Sequence, residues 1–277
     1  MAYVTDGSVH YSGIKNEERQ RRFFEDNLGR VFPDLERMEG LVVETLGGTT
    51  NKADVVIKNS DGDVIKSISS KEKKKLKSGT YHFDKSSAIW TNLIGPALCS
   101  HPDIMTDLDD LIELKDFVRN EVPVEERKDW RDEVNSQLQG VLNSMLEAFA
   151  NDQKVLQSIY KMIVDNNSGH EFFVTAKDEG FIQKVDFVNH PMMSHKEMDI
   201  VYKPNKGGAS RLTQLKNKET GEIINTGIRI RFLLTNGVSA WIGANEGTKK
   251  NRNSAFCVVI QQDNHHKVVP VKEVYEY

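Results

Sequence analysis

The stretch Gly47–Lys75 reads GGTTNKADVVIKNSDGDVIKSISSKEKKK, and its interpretation decides the fold. Two apolar runs, Val55-Val56-Ile57 and Val64–Ile68, flank Ser60-Asp61-Gly62. Asp and Gly supply the positive-φ positions that tight turns need, so the runs predict an antiparallel hairpin. Gly47-Gly48 predicts a turn into the first strand. Pairing brings the strand's opening acid, Asp54, beside the region Lys71–Lys74 at the end of the second. A carboxylate next to ammonium groups at one sheet edge suits metal-assisted attack on a phosphodiester.

Side chains two apart on a strand share a face. Ile65, Ser67, Ser69 and Lys71 form one set, and Val64, Lys66, Ile68 and Ser70 the other. Neither set is cleanly apolar, so register is weakly specified. Lys71 is the preferred partner of Asp54. Lys74 is the alternative, and a solvated lysine-rich strand end is the plain structural reading.

The segment resembles the PD-(D/E)XK nuclease core of bacterial and phage type II restriction endonucleases. In that superfamily an Asp begins the second core strand and a (D/E)-x-K triplet closes the third. The chain matches the first element as Ala53-Asp54-Val55-Val56-Ile57. It departs in the second, where Ser69-Ser70-Lys71 puts a serine in the acid position. Glu72-Lys73-Lys74 keeps the acid but lies further along. The resemblance implies an α/β (α+β) fold with a mixed-sheet, restriction-endonuclease-like core. It also implies Mg²⁺-dependent hydrolysis of double-stranded DNA. Asp54 would hold the metal, and Lys71 would orient the attacking water and stabilise the phosphate.

Working outward, residues 14–32 predict a helix. Ile14, Glu17, Arg21, Phe24, Leu28 and Val31 recur on one face, which points Glu17 inward. A buried unpaired carboxylate is costly, so Glu17 needs a partner or a metal. Many enzymes of the resembled superfamily carry a metal-site acid on this helix, and Glu18 and Glu25 are its neighbours here. An acid favoured by the helix dipole is the equally weighted structural reading. Residues 85–99 predict a second helix, disturbed by Pro96, that covers the core sheet.

Residues 102–166 hold fifteen acidic against seven basic residues, whereas residues 167–277 hold twelve against fifteen. The acidic excess of the −4 chain is therefore concentrated in one segment, and a DNA-binding cleft elsewhere remains compatible with it. Leucines from Ile104 to Val122 predict one helix. Val134, Leu138, Val141, Met145, Phe149, Leu156, Ile159 and Ile163 predict one or two more, as core or as a homodimer seam. From about residue 170 the chain turns β-rich, with runs at Phe172–Val174, Asp199–Tyr202, Ile228–Phe232 and Phe256–Ile260. This gives three segments: a nuclease core at 1–101, an acidic helical segment at 102–166, and a β-rich, DNA-recognising region at 167–277.

Arg229 and Arg231 share a strand face and suit phosphates or guanine edges, and Gln261-Gln262 of the same region suit base edges; Lys73 and Lys74 suit phosphates. Surface arginines on a solvated sheet are the plain alternative. A second acid-to-lysine pair competes with the first. Asp199 precedes Gln214-Leu215-Lys216, and its 17-residue spacing to Lys216 equals that from Asp54 to Lys71.

Other classes find less support. No G-x-x-x-x-G-K-[ST], G-x-S-x-G, H-E-x-x-H or G-x-G-x-x-G motif occurs, which argues against a nucleotide cofactor. His265-His266 after Asp263-Asn264 lacks the context of an HNH site. No apolar run reaches bilayer length, and no signal segment is expected. Cys99 and Cys257, without C-x-x-C spacing, predict a reduced protein of the cytoplasm, bacterial or of a phage's host, with no structural zinc. Cutting both strands of a symmetric site predicts a homodimer. The rival readings are a catalytically decayed DNA-binding or regulatory protein, which Ser69 favours, and a helical scaffold using its acidic face.

Overall fold

The computed structural model describes residues 8–46, 53–73, 76, 80–176, 178–203, 210–244, 254–263 and 271–277. Helices α1 (Ser8–Asp26) and α2 (Leu28–Val31) precede strands β1 (Val42–Thr45), β2 (Val55–Lys58), β3 (Val64–Lys73) and β4 (Thr80–Ser86). Then come α3 (Ser87–Ile89), a π-helical turn at Trp90–Ile94, α4 (Gly95–Leu98), α5 (Pro102–Asn120), α6 (Arg131–Ala150) and α7 (Gln153–Asn167). Strands β5 (Glu171–Ala176), β6 (Phe181–Val185), β7 (Met198–Lys203), β8 (Ser210–Asn217) and β9 (Ile223–Leu234) follow. Helix α8 (Gly237–Trp241), β10 (Phe256–Asp263) and β11 (Val271–Glu276) complete an α+β fold.

The chain forms two compact units. One takes residues through Tyr81, Asp165–His190 and Asn264–Tyr277; the other takes His82–Val164 and Pro191–Asp263. The second unit thus fills two connections of the first. Parallel strands need a long crossover, and the link between β3 and β5 carries one of the two insertions. This differs from the three consecutive segments expected, because strands far apart in sequence pair with each other.

The first unit is built on a mixed sheet in the order β1-β2-β3-β5-β6-β11. Only β3 and β5 run parallel, with Ser70 opposite Phe173 and Lys71 opposite Val174. The hairpin between β2 and β3 forms as expected. Asn59 Oδ1 accepts from the amides of Asp61 and Asp63, and Gly62 sits at φ 86°, a conformation natural to glycine. One face of the sheet meets α1 through Phe23, Phe24, Val55, Ile57, Ile68 and Phe173. The Phe24 and Phe173 rings stand 5.0 Å apart, edge to face, and each buried ring contributes about 1.5–3 kcal/mol.

The expected inward face of the first helix holds at Phe24, Leu28 and Val31 and fails at Arg21. Gln20, Phe23 and Phe24 are buried, while Arg21 lies in surface ion pairs with Glu18 and Glu25. Two arginines hold the Glu18 carboxyl down to about 2.

The second unit has a sheet in the order β4-β10-β9-β8-β7. The periodic apolar residues of α6 and α7 are buried in the chain's own core, which leaves them unavailable as a dimer seam. The Gln153 side chain closes the edge strand β7, donating to Ile200 O at 2.7 Å and accepting from Ile200 N at 2.9 Å. Buried Tyr160 bonds Thr213, and burial pushes its hydroxyl up to about 12.

The helix expected at 85–99 is broken. Residues to Ser86 belong to β4, and Trp90 stacks on Phe256 of β10 at 4.7 Å. It therefore packs on the sheet of the second unit. Pro96 lacks the amide an uninterrupted helix needs, and the π turn lies just before it. Among the described residues no helix is long and apolar enough to cross a membrane.

Candidate active site

Asp54 stands immediately before β2 and is anchored by its own backbone. Its amide donates to Ile68 O at 2.8 Å, and its carbonyl accepts from Leu46 N at 3.1 Å. Pairing of β2 with β3 runs only as far as Val55 opposite Ile68. The next inward-facing amide of β3, Ser70 N–H, donates instead to Asp54 Oδ2 at 2.6 Å. A side-chain carboxylate thereby takes the place of a ladder carbonyl, which fixes its rotamer. Lys71 Nζ lies 3.6 Å from the same oxygen, with both side chains about a quarter exposed. The sequence-predicted pair is brought together.

Alternation along β3 then sorts its neighbours. Ile68 faces α1, so Ser70 and Glu72 share that side, while Ser69, Lys71 and Lys73 share the other. Ser70 Oγ lies 3.1 Å from Thr175 Oγ1, to which Gln20 Nε2 also donates at 3.3 Å. Gln20 is the polar residue of α1 that sequence reasoning missed. Its spacing of three and four from Phe23 and Phe24 carried the signal.

Ser69 is fully buried, and its Oγ has no hydrogen-bond partner among the described residues. Gln183 continues the row from Lys71 through Val174 into β6, and its buried Nε2 also lacks a hydrogen-bond partner among them. Nothing in the local sequence marked Gln183, because its place depends on pairing between distant strands. Buried polar atoms of this kind are normally satisfied, so a water or a bound group is expected there.

The other candidates fall as follows. Glu17 lies one turn before Gln20 on α1 and is half-buried. Among the described residues no three His, Cys, Asp or Glu side chains are grouped to hold a metal ion, so Glu17 and Asp54 belong to no such cage. Glu72 is exposed and faces away from Lys71; its charge helps raise the Tyr277 hydroxyl to about 12, behind the larger effect of burial. Lys73 is only 5% exposed, which corrects its expected role as a surface phosphate contact. Lys74, the glycine turn at 47–48 and His265-His266 lie outside the described residues.

In the second unit Arg229 and Arg231 do share one face of β9, alternating with buried Ile228, Ile230 and Phe232. Gln261 of β10 stands opposite Arg229. His82 of β4 lies near enough to Arg231 and to Lys85 to feel both charges. The His82 imidazole is pushed down by burial and then by the charges of Lys85 and Arg231. Lys85 was missed because the sequence places it at the start of a helix over 85–99. Gln262, by contrast, is buried and donates to Thr226 O at 3.2 Å.

The competing pair is also adjacent, since Asp199 stands opposite Lys216 and Gln214 opposite Val201. Asp199 Oδ1 pairs loosely with Lys218 at 3.8 Å, and both side chains are about half exposed. A cavity of about 470 Å³ beside β7 includes Ile200, Val201 and Tyr202, with Glu147 its only acid. Among the described residues Asp199 has no backbone clamp like the one that orients Asp54.

Compared with known proteins, the chain matches no family model, no curated protein and no solved structure.

Proposed function

We propose that this protein is a Mg²⁺-dependent endonuclease of the PD-(D/E)XK type that hydrolyses double-stranded DNA at specific sequences. One observation carries the reading. Asp54, clamped by Ser70 N–H, stands 3.6 Å from Lys71 at the end of a three-strand meander. The helix α1 precedes that meander and the parallel strand β5 follows it, an order compatible with the resembled core.

The donors suit a hard cation. Asp54 keeps its second carboxylate oxygen, and the unpaired hydroxyl of Ser69 lies on the same face as Lys71. Mg²⁺ commonly takes one or two protein carboxylates, retains waters and binds substrate phosphate, so a sparse site fits it. When bound, the cation supplies Lewis acidity toward the phosphate and lowers the pKa of a coordinated water. Lys71 contributes a fixed positive charge where negative charge develops on the phosphoryl oxygens. Ser70 N–H holds the Asp54 carboxylate in place beside Lys71. In the second unit, Arg229 and Arg231 on one face of β9 supply phosphate or base contacts to DNA.

A second reading rests on Ser69. A serine in the triplet's acid position favours a DNA-binding protein that keeps the nuclease core without catalysis. Incubating supercoiled plasmid with the protein in Mg²⁺ and in EDTA separates the two. Mg²⁺-dependent linearisation or nicking, abolished by EDTA, supports the nuclease. Retarded but uncut DNA in both conditions supports the second reading.

A further inference from the structure

The end of α6 and the edge strand β7 enclose a cavity of about 470 Å³ within the second unit. A volume of this size suits a small organic ligand. Ala150, Ile200 and Tyr202 give the cavity an apolar wall, and Glu147 and Asn151 give it a polar one. Glu147 and Asn151 are exposed, so the polar end is reached from solvent.

The charge around that end has one sign. Glu147 is the only acid of the lining, and no basic side chain lines the cavity among the described residues. The C-terminal end of α6 carries the negative pole of its dipole and holds no basic residue in its last turn. Helix α7 begins beside it with a positive pole. There Asp152 Oδ1 accepts from the amides of Lys154 at 3.0 Å and Val155 at 3.1 Å, and its carboxylate offsets that pole. Lys154 and Lys203, next in sequence to lining residues, are exposed and screened by solvent. A cation is therefore the ion this cavity favours. Tyr202 adds an aromatic ring, whose quadrupole attracts ammonium groups.

The edge of β7 decides against an extended peptide as the occupant. A strand added to an edge needs its outward amides and carbonyls. Gln153 already holds both groups of Ile200, at 2.7 and 2.9 Å, and Gln157 Nε2 donates to Met198 O at 2.7 Å. The occupant is compact. One acid calls for one positive charge, and the apolar wall calls for a hydrocarbon body.

We infer that this cavity binds a small organic monocation, an alkyl- or arylalkylammonium, with its charge at Glu147 beside Asn151 and its hydrocarbon part against Ala150, Ile200 and Tyr202. The inference is independent of the nuclease reading, because none of these residues belongs to the Asp54 and Lys71 site.

The test titrates 2-phenylethylammonium chloride into the full chain at low salt, without DNA, by isothermal titration calorimetry and by amide chemical shifts. A ligand of this size binds with a Kd of about 0.1–1 mM and shifts the amides of Ala150, Asn151 and Tyr202. The neutral isostere 2-phenylethanol and the anion 3-phenylpropionate bind at least about tenfold more weakly. Glu147→Gln, at an exposed position that preserves the fold, weakens the ammonium about tenfold and leaves the alcohol unchanged. Asp132→Asn, at the opposite end of α6, changes neither. No saturable binding up to about 10 mM overturns the inference. So does an alcohol that binds as well as the ammonium, a Glu147→Gln affinity within about twofold of wild type, or shifts centred away from the cavity. Nα-acetyl-lysinamide that binds at least about tenfold tighter than the probe makes the occupant a protein side chain and overturns the small-ligand assignment.

Discussion

Replacing Lys71 by Met keeps the length and apolar stem of the side chain and removes only its ammonium. In the free protein that ammonium lies 3.6 Å from Asp54 Oδ2. At an effective dielectric of 20 the gross attraction is about 5 kcal/mol. Both side chains are about a quarter exposed, and the lysine's own desolvation opposes the attraction, so the net loss of stability is about 1 kcal/mol or less. Asp54 keeps its bond from Ser70 N–H at 2.6 Å, so the site's geometry survives. The expected change in Tm is therefore about 2–4 °C. The effect on cleavage is far larger. Removing one fixed donor from the developing charge of a transition state costs about 100–1,000-fold in rate, or about 2.7–4 kcal/mol. Single-turnover cleavage of supercoiled plasmid, with protein in excess and Mg²⁺ saturating, measures it alongside a thermal melt. Lys71→Arg, which keeps the charge, recovers part of the rate. Cleavage within about threefold of wild type refutes the role of Lys71. A lost rate accompanied by a Tm drop beyond about 10 °C makes the residue structural.

Asp54→Asn keeps an oxygen for Ser70 N–H but loses the charge, so cleavage falls at least about 100-fold in the same assay while metal-free DNA binding in a gel shift is kept or tightened. Near-normal cutting moves the site to Asp199 and Lys216. Arg229→Ala and Arg231→Ala each cost about 1–3 kcal/mol of sequence discrimination for a bidentate base contact. Uniformly weaker binding with a shallower salt dependence makes them phosphate contacts, and titrations at several salt concentrations tell these apart. His190 is buried against Phe187, and burial lowers its imidazole from 6.5 to about 4. The unfolded chain then binds a proton that the folded one refuses. Stability is full above pH 6.5 and declines by up to about 3 kcal/mol as pH falls toward 4. Urea titrations across that range show the slope in the wild type and a weaker one in His190→Phe.

The hairpin was legible because its signals are local. Asn59 and Gly62 do what turn residues do, and Val55–Ile57 and Ile68 are the buried positions the apolar runs announced. The register was not legible from alternation, and the reason is physical. Val55, Val56 and Ile57 are all buried, as are Ser69, Ser70 and Lys73, so these strands are buried on both sides at these positions. A strand buried on both sides loses the apolar-polar alternation that would mark its faces. What sets the register instead is the Asp54 carboxylate on Ser70 N–H and the parallel partner β5, which lies about a hundred residues away in sequence. Periodicity cannot report a contact of that separation.

The same argument explains what was misassigned. Phe172–Val174 read as the first strand of a separate β-rich region, yet it completes the sheet carrying Lys71. The helix expected at 85–99 is broken at Pro96, and the stacking of Trp90 on Phe256 commits that segment to the other unit. Gln183 was invisible for the deepest reason. It becomes part of the Lys71 row only after β3, β5 and β6 align, and its buried donor is conspicuous only once that row exists. Residue types at short range therefore disclosed Asp54 and Lys71, while the atoms awaiting a partner around them, Ser69 Oγ and Gln183 Nε2, are properties of the assembled sheet.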